Sequence, residues 1–140
     1  MQHEVRPPGG AATSSLLPLI LVGTIHGMVH TLGLFLSPVN AEIARYFRLE
    51  SITGVTAFKT TYLVVYAIVN LVSGFLASRL PARFTLAFGI LLNGLAVMAF
   101  RFVTPDGIGF MYFLWILSAI GGGVYHPVAN VFITRLYPAR

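Results

Sequence analysis

Charged positions divide this chain into long uncharged intervals. No Asp, Glu, Lys or Arg occurs between Arg6 and Glu42, Lys59 and Arg79, Arg83 and Arg101, or Asp106 and Arg135. The intervals hold 35, 19, 17 and 28 residues, and a helix needs about 20 apolar residues to cross ~30 Å of hydrocarbon. The pattern predicts four transmembrane helices over residues 15–38, 57–78, 84–103 and 108–134. The third interval is short, and Arg83 and Arg101 extend it by snorkelling to the two interfaces. A backbone in lipid must satisfy its own polar groups, which leaves helices or a closed barrel. Barrel strands alternate apolar and polar residues, and Phe84-Thr-Leu-Ala-Phe-Gly-Ile-Leu-Leu does not. The expected fold class is all-α, a multi-pass transmembrane bundle of four spans.

Breakers mark the connections. Leu80-Pro81-Ala82 turns the second span into the third, and Thr104-Pro105-Asp106-Gly107 is a turn signal before the fourth. The longest link, Asn40 to Gly54, contains a mildly amphipathic stretch over residues 41–48 that can continue the first helix past the interface. Residues 1–14, with Pro7-Pro8-Gly9-Gly10, read as an unstructured cytoplasmic tail, and residues 15–140 as one four-helix portion. The first apolar run is about twice the length of a signal-peptide core, so a cleaved signal is not expected. With the N-terminus inside, the cytoplasmic side holds Arg6, Arg79, Arg83, Arg135 and Arg140, against Arg45, Arg48, Arg101 and Lys59 outside. That bias favours an inner-membrane protein with both termini cytoplasmic.

Composition sharpens the picture. Hydrophobic residues make up 56% of the chain and charged ones 9%, where soluble domains carry about 25% charged residues. Mean hydropathy is +0.83. The net charge of +5 comes from scattered basic residues, not a patch, which argues against nucleic acid as a partner. Without cysteine there is no disulfide framework or thiolate metal site. No phosphate-binding Gly-x-x-x-x-Gly-Lys-Ser/Thr loop is present. No cofactor and no enzymatic activity are expected, and the expected partners are the lipid bilayer, a small-molecule or ion substrate, and further membrane helices.

Polar side chains within spans are candidates for function because lipid makes them costly. His26 and His30 are four apart on the first span, and His126 and Asn130 are four apart on the fourth. Tyr62, Tyr66 and Asn70 form a stripe on the second, whereas Asn93 is the one strongly polar interior residue of the third. The histidines can bind an anionic or aromatic substrate, relay protons or coordinate a metal, and equally can pack the bundle through hydrogen bonds. A metal reading needs His26, His30 and His126 to converge. Gly23 and Gly27 make a Gly-x-x-x-Gly face for close helix approach, as do Gly121, Gly122 and Gly123. Pro127 removes the amide that would bond the Gly123 carbonyl, so a kink or hinge is expected there. Lys59, about one turn into the second span, reads as an interfacial anchor.

The string Gly74-Phe-Leu-Ala-Ser-Arg79-Leu-Pro-Ala-Arg83 resembles the signature between helices two and three of the major facilitator superfamily, Gly-x-Leu-Ala-Asp-Arg-x-Gly-Arg-Arg/Lys. Gly74, Leu76, Ala77, Arg79 and Arg83 match, while Ser78, Pro81 and Ala82 depart from it. The fourth span, with Gly121-Gly-Gly-Val-Tyr-His126-Pro127, is similar to that of the drug exporters related to fosmidomycin resistance. The arginine that many proton-coupled exporters carry before those glycines is absent from Leu114-Trp-Ile-Leu-Ser118. The resemblance covers Leu16 to Arg140. It implies helices one to four of a twelve-helix transporter, with the first and fourth lining a central cavity and the third peripheral. It also implies gate-loop roles for Gly74, Arg79 and Arg83.

Three functions follow as expectations. The first is secondary active transport of a small solute by alternating access, coupled to protons or another ion, with the C-terminal helices of the transporter as partners. The second is a non-transporting four-helix subunit or assembly segment using its glycine faces. The third is transport of a metal or metal complex through the intramembrane histidines. A small multidrug exporter would need a glutamate in the first span, where none occurs between Ala11 and Ala41. A membrane metalloenzyme would need a carboxylate beside the histidines.

Overall fold

The computed structural model describes residues 15–138. The tail over residues 1–14, with Arg6, and Arg140 of the charge balance lie outside the described residues. The described chain is helical with no strand. It runs α1 (Leu17–Leu34), α2 (Asn40–Tyr46), α3 (Ile52–Leu76), α4 (Ala82–Met98), α5 (Ile108–Gly123) and α6 (Tyr125–Leu136), with 3₁₀ turns at Ser37–Val39 and Ala99–Phe102. Four helical runs, Leu17–Tyr46, Thr53–Leu76, Ala82–Phe102 and Ile108–Leu136, are long and apolar enough to cross a membrane. The chain is an all-α, multi-pass membrane protein.

The link after the first span is more ordered than a connection need be. Pro38 sits in the first 3₁₀ turn, and α2 follows at once. Arg48 then takes a left-handed conformation, φ 54°, and the Leu49 amide donates to the Ala44 carbonyl at 2.8 Å. This closes α2 in the way a glycine normally would. Ser51, with φ −150° and ψ 158°, extends the chain into α3, which starts five residues before Ala57. Val55 and Phe58 are both buried, so the start of α3 is set by apolar residues that must face the core.

The fourth run is the centre of the bundle. Half of its most apolar stretch is buried, against 6% for the first run. Helix α5 packs on α3 and α4 and touches α1. Around it, α4 shows how sequence sorts a helix between protein and lipid. Leu86, Gly89, Asn93 and Ala96 face inward, while Phe84, Phe88, Leu91, Leu95 and Met98 form an exposed apolar stripe. Both sets recur at spacings of three and four. The third span thus presents a lipid-type apolar stripe on one side and one buried polar side chain on the other, and its most apolar stretch is more buried (22%) than that of the first (6%) or second run (17%). The Ser118 hydroxyl on α5 donates to Asn93 Oδ1 at 2.8 Å.

Three consecutive glycines explain the tight centre, because successive helix positions point about 100° apart. A Cβ on Gly121 would stand 2.5 Å from the Gly89 carbonyl oxygen of α4, and one on Gly123 2.9 Å from the Tyr66 carbonyl oxygen of α3. On Gly122 it would meet the Tyr62 hydroxyl at 3.1 Å and Asn93 Nδ2 at 3.3 Å. Two core clusters flank this waist. One gathers Phe58, Tyr62, Met111, Leu114 and Trp115 at the end that bears α2. The other gathers Val29, Leu86, Tyr125 and Val128 toward the α3–α4 turn.

Candidate functional site

The site begins with a backbone problem. Pro127 has no amide to offer the Gly123 carbonyl, and the fourth run is interrupted at Val124, between α5 and α6. Ser73 of α3 lies against the break. Its buried hydroxyl is 3.3 Å from the Gly123 carbonyl oxygen, 2.7 Å from that of Val69 and 3.2 Å from that of Asn70. The single hydroxyl hydrogen is shared, with the Val69 carbonyl of its own helix nearest and the freed Gly123 carbonyl of the neighbouring helix at the longest reach.

Immediately after the break, Tyr125 and His126 turn toward α1. Tyr125 is buried and its hydroxyl donates to the Val22 carbonyl, tying α6 to α1 one turn before His26. Val29 buries the inward side of α1, which leaves His26 and His30 on its open side. The imidazoles of His26 and His30 are 4.6 Å apart between ring centres, those of His26 and His126 4.9 Å, and those of His30 and His126 5.3 Å. Ring nitrogens of all three lie within 4.8 Å of one another. Two spans far apart in sequence therefore supply one imidazole cluster.

Clefts surround the cluster. One of about 440 Å³ runs between α1 and α6 and is lined by Gly23, His26, His126, Asn130 and Thr134 among others. A second, also about 440 Å³, lies on the far side of α6 and contains Asn70, Gly74, His126, Pro127 and Asn130. A third, about 150 Å³, holds His30, Lys59, Tyr62 and Tyr66. His126 borders the first two clefts and His30 the third. Tyr66, Asn70 and Asn130 thus share clefts with the histidines. The Tyr66 ring is 6.3 Å from that of His126.

Other expected site residues have different surroundings. Tyr62 is only 5% exposed and packs its ring 4.7 Å from Trp115, so it is a core residue whose edge reaches the third cleft. Gly23 and Gly27 do not form a close-packing face among the described residues, since an added Cβ would have nothing within 4 Å. The correction has a geometric cause. Helix α1 turns Val22, Ile25 and Val29 to the bundle, which carries the glycine stripe round to the open side. Lys59 lines the His30 cleft and, because α3 begins at Ile52, stands about two turns into the helix instead of the expected one. At the opposite end, Arg79 and Arg83 are exposed and the Arg83 guanidinium lies 4.7 Å over the Phe84 ring. Gly74 faces Pro127, with an added Cβ 3.9 Å from the proline Cβ.

Three contributors escape a reading based on charge and motif. Ser73 and Ser118 look like ordinary small residues, and only their contacts with the Gly123 carbonyl and Asn93 across helices reveal their use. Arg135, counted merely as positive charge, donates from Nη2 to the Ser78 carbonyl at 3.0 Å and ties the end of α6 to the α3–α4 turn.

Fold and site together define a polytopic helical membrane protein whose polar centre lies between its first and fourth spans. The chain belongs to the major facilitator superfamily, whose family model matches residues 9–140. It is accordingly a transporter of the major facilitator type. No curated protein and no solved structure matches it.

Proposed function

We propose that these four spans serve secondary active transport of a small solute by alternating access, with the solute or a coupling proton handled at His26, His30, His126, Tyr66, Asn70 and Asn130. The observation that carries this reading is the convergence of three imidazoles from the first and fourth spans beside a helix break and open clefts. In this fold a midplane site between repeats, built on discontinuous helices, is where substrate sits. Imidazole can both donate and accept a hydrogen bond and can carry a proton, which suits either task. In this reading, further helices of the same transporter close the clefts, both termini face the cytoplasm of an inner membrane, and Arg79 and Arg83 belong to a cytoplasmic gate loop. Export as the direction follows from the resemblance of Gly121–Pro127 to the drug-exporting branch.

The chain contains no cysteine, so single cysteines can test the cavity without background. In membranes, cysteines at His26, His126 and Asn130 are expected to react with a water-soluble maleimide, whereas those at Phe88, Leu91 and Ile68 stay unreactive. The opposite pattern would show the histidines facing acyl chains. In the complete transporter, joint replacement of His26 and His126 by alanine is expected to abolish transport with membrane insertion unchanged. Wild-type transport by that variant refutes the cavity assignment.

A further inference from the structure

We propose that His26, His30 and His126 form a three-imidazole site for a divalent transition-metal ion such as Zn²⁺ or Co²⁺, with a fourth coordination position open to the cleft. The inference rests on the transport reading only in naming the class of ion handled there. Geometry carries the rest. A zinc-type ion holds imidazole nitrogen at about 2.0–2.1 Å, which places each ring centre about 3 Å from the ion and separates ring centres at tetrahedral angles by about 5 Å. The observed separations of 4.6, 4.9 and 5.3 Å bracket that value. Nitrogens within 4.8 Å of one another put an ion at their centre no more than about 2.8 Å from each, so side-chain adjustments of under about 1 Å complete the bonds.

The donor set selects the ion. All four acidic residues, Glu4, Glu42, Glu50 and Asp106, lie away from the cluster in sequence, in the tail, α2 and the connecting segments. Among the described residues no carboxylate lines the clefts around the cluster, so hard cations that need several oxygen ligands are poorly served there. Imidazole suits zinc, copper, iron and nickel. Three protein ligands leave one position for water or another ligand, where closed structural sites use four protein ligands. Asn130 and the cleft beside it border the open side.

Lys59 supports a different ligand, because protonated imidazoles beside an ammonium would attract an anion. The two chemistries separate by pH. Metal needs neutral imidazoles, so its affinity falls as the medium is acidified through the imidazole range near 6.5. The other titratable groups bordering the cluster are Lys59, Tyr62 and Tyr66 from α3 and Tyr125 from α6.

The test uses the full chain in nanodiscs, with Co²⁺ as the spectroscopic probe and Zn²⁺ as competitor. His3 is the only other histidine, so a His3→Ala background removes it. The expected result is one Co²⁺ per chain with the intense visible absorption of a four- or five-coordinate nitrogen site, displaced by Zn²⁺ and weakened as pH falls from about 8 to about 5.5. Each of His26→Ala, His30→Ala and His126→Ala weakens binding at least about tenfold, with helicity monitored by circular dichroism. Zn²⁺ should also protect the unmodified cluster from diethyl pyrocarbonate, a readout that needs no cluster variant to fold. Absence of stoichiometric Co²⁺ binding and of Zn²⁺ protection overturns the proposal. So does sulfate binding that strengthens on acidification and is lost in Lys59→Gln, with no metal bound. Either failure leaves the cysteine-labelling pattern intact, and a failure of the cavity reading shows in that pattern whatever the metal does.

Discussion

Gly121→Ala tests the packing that holds the centre together. Its new methyl would stand 2.5 Å from the Gly89 carbonyl oxygen, 2.6 Å from the Asn93 amide nitrogen and 3.0 Å from the Asn93 Cβ. An ordinary contact is about 3.5 Å, so α4 and α5 must part by ~1 Å, and the obstructing oxygen and nitrogen are backbone atoms that cannot rotate away. Overpacking of this kind costs about 1–3 kcal/mol. Separation also stretches the 2.8 Å Ser118–Asn93 hydrogen bond, and such interhelical bonds average about 0.6 kcal/mol in membranes. Alanine returns about 0.5–1 kcal/mol through helix propensity. Gly27→Ala isolates that last quantity, because its methyl meets nothing within 4 Å. The difference between the two variants therefore reports packing alone, at about 2–4 kcal/mol. Reversible unfolding in mixed micelles can be followed through the single, buried Trp115. Equal stability of the two variants, within about 0.5 kcal/mol, would refute the close approach of α4 and α5.

Three further substitutions test local features in the same assay. Arg48→Gly relieves the left-handed backbone after α2 and is expected to stabilise by about 1 kcal/mol; destabilisation would deny the left-handed turn. Ser118→Ala removes the donor to buried Asn93 and is expected to cost about 0.6–1.7 kcal/mol, whereas an unchanged midpoint would mean the pair does not form. Pro127→Ala restores an amide for the Gly123 carbonyl, so Ser73→Ala is expected to cost less in that background than in the wild type, with a coupling above about 0.5 kcal/mol. Strict additivity would separate Ser73 from the break.

How much of this was legible depends on range. The four spans follow from charge spacing because lipid penalises charge wherever it falls, a local rule. The two faces of α4 were readable for a similar reason, since Asn93 had to turn inward. His26 and His30 share a face by helix period alone, but nothing in one sequence states that His126 arrives beside them. That meeting depends on the Tyr125 clasp to Val22 and on the closeness that the glycines permit. Gly23 and Gly27 mark the opposite case. Their spacing is indistinguishable from that of a packing motif, and only the burial of Val22, Ile25 and Val29 shows that α1 presents another face to the bundle. Tyr62 is both a core and a cleft residue, since its ring packs on Trp115 while its edge reaches the third cleft.

The fourth run divides its labour at Val124. On the α5 side, Gly121 and Gly123 bring backbone to backbone, and Gly122 admits a tyrosine hydroxyl; moving α5 would break several near-minimal contacts at once. On the α6 side, attachment rests on the Tyr125 hydroxyl, a shared Ser73 hydrogen, the Arg135 contact to Ser78 and the packing of Val128 and Ala129. Pro127 has already removed the backbone bond that would stiffen the joint. On the proposed transport reading, movement of α6 about Val124, where the backbone bond is missing, would change the width of the cleft and shift His126 relative to His26 and His30. On that reading, the geometry of the histidine cluster and the width of the cleft would therefore change together.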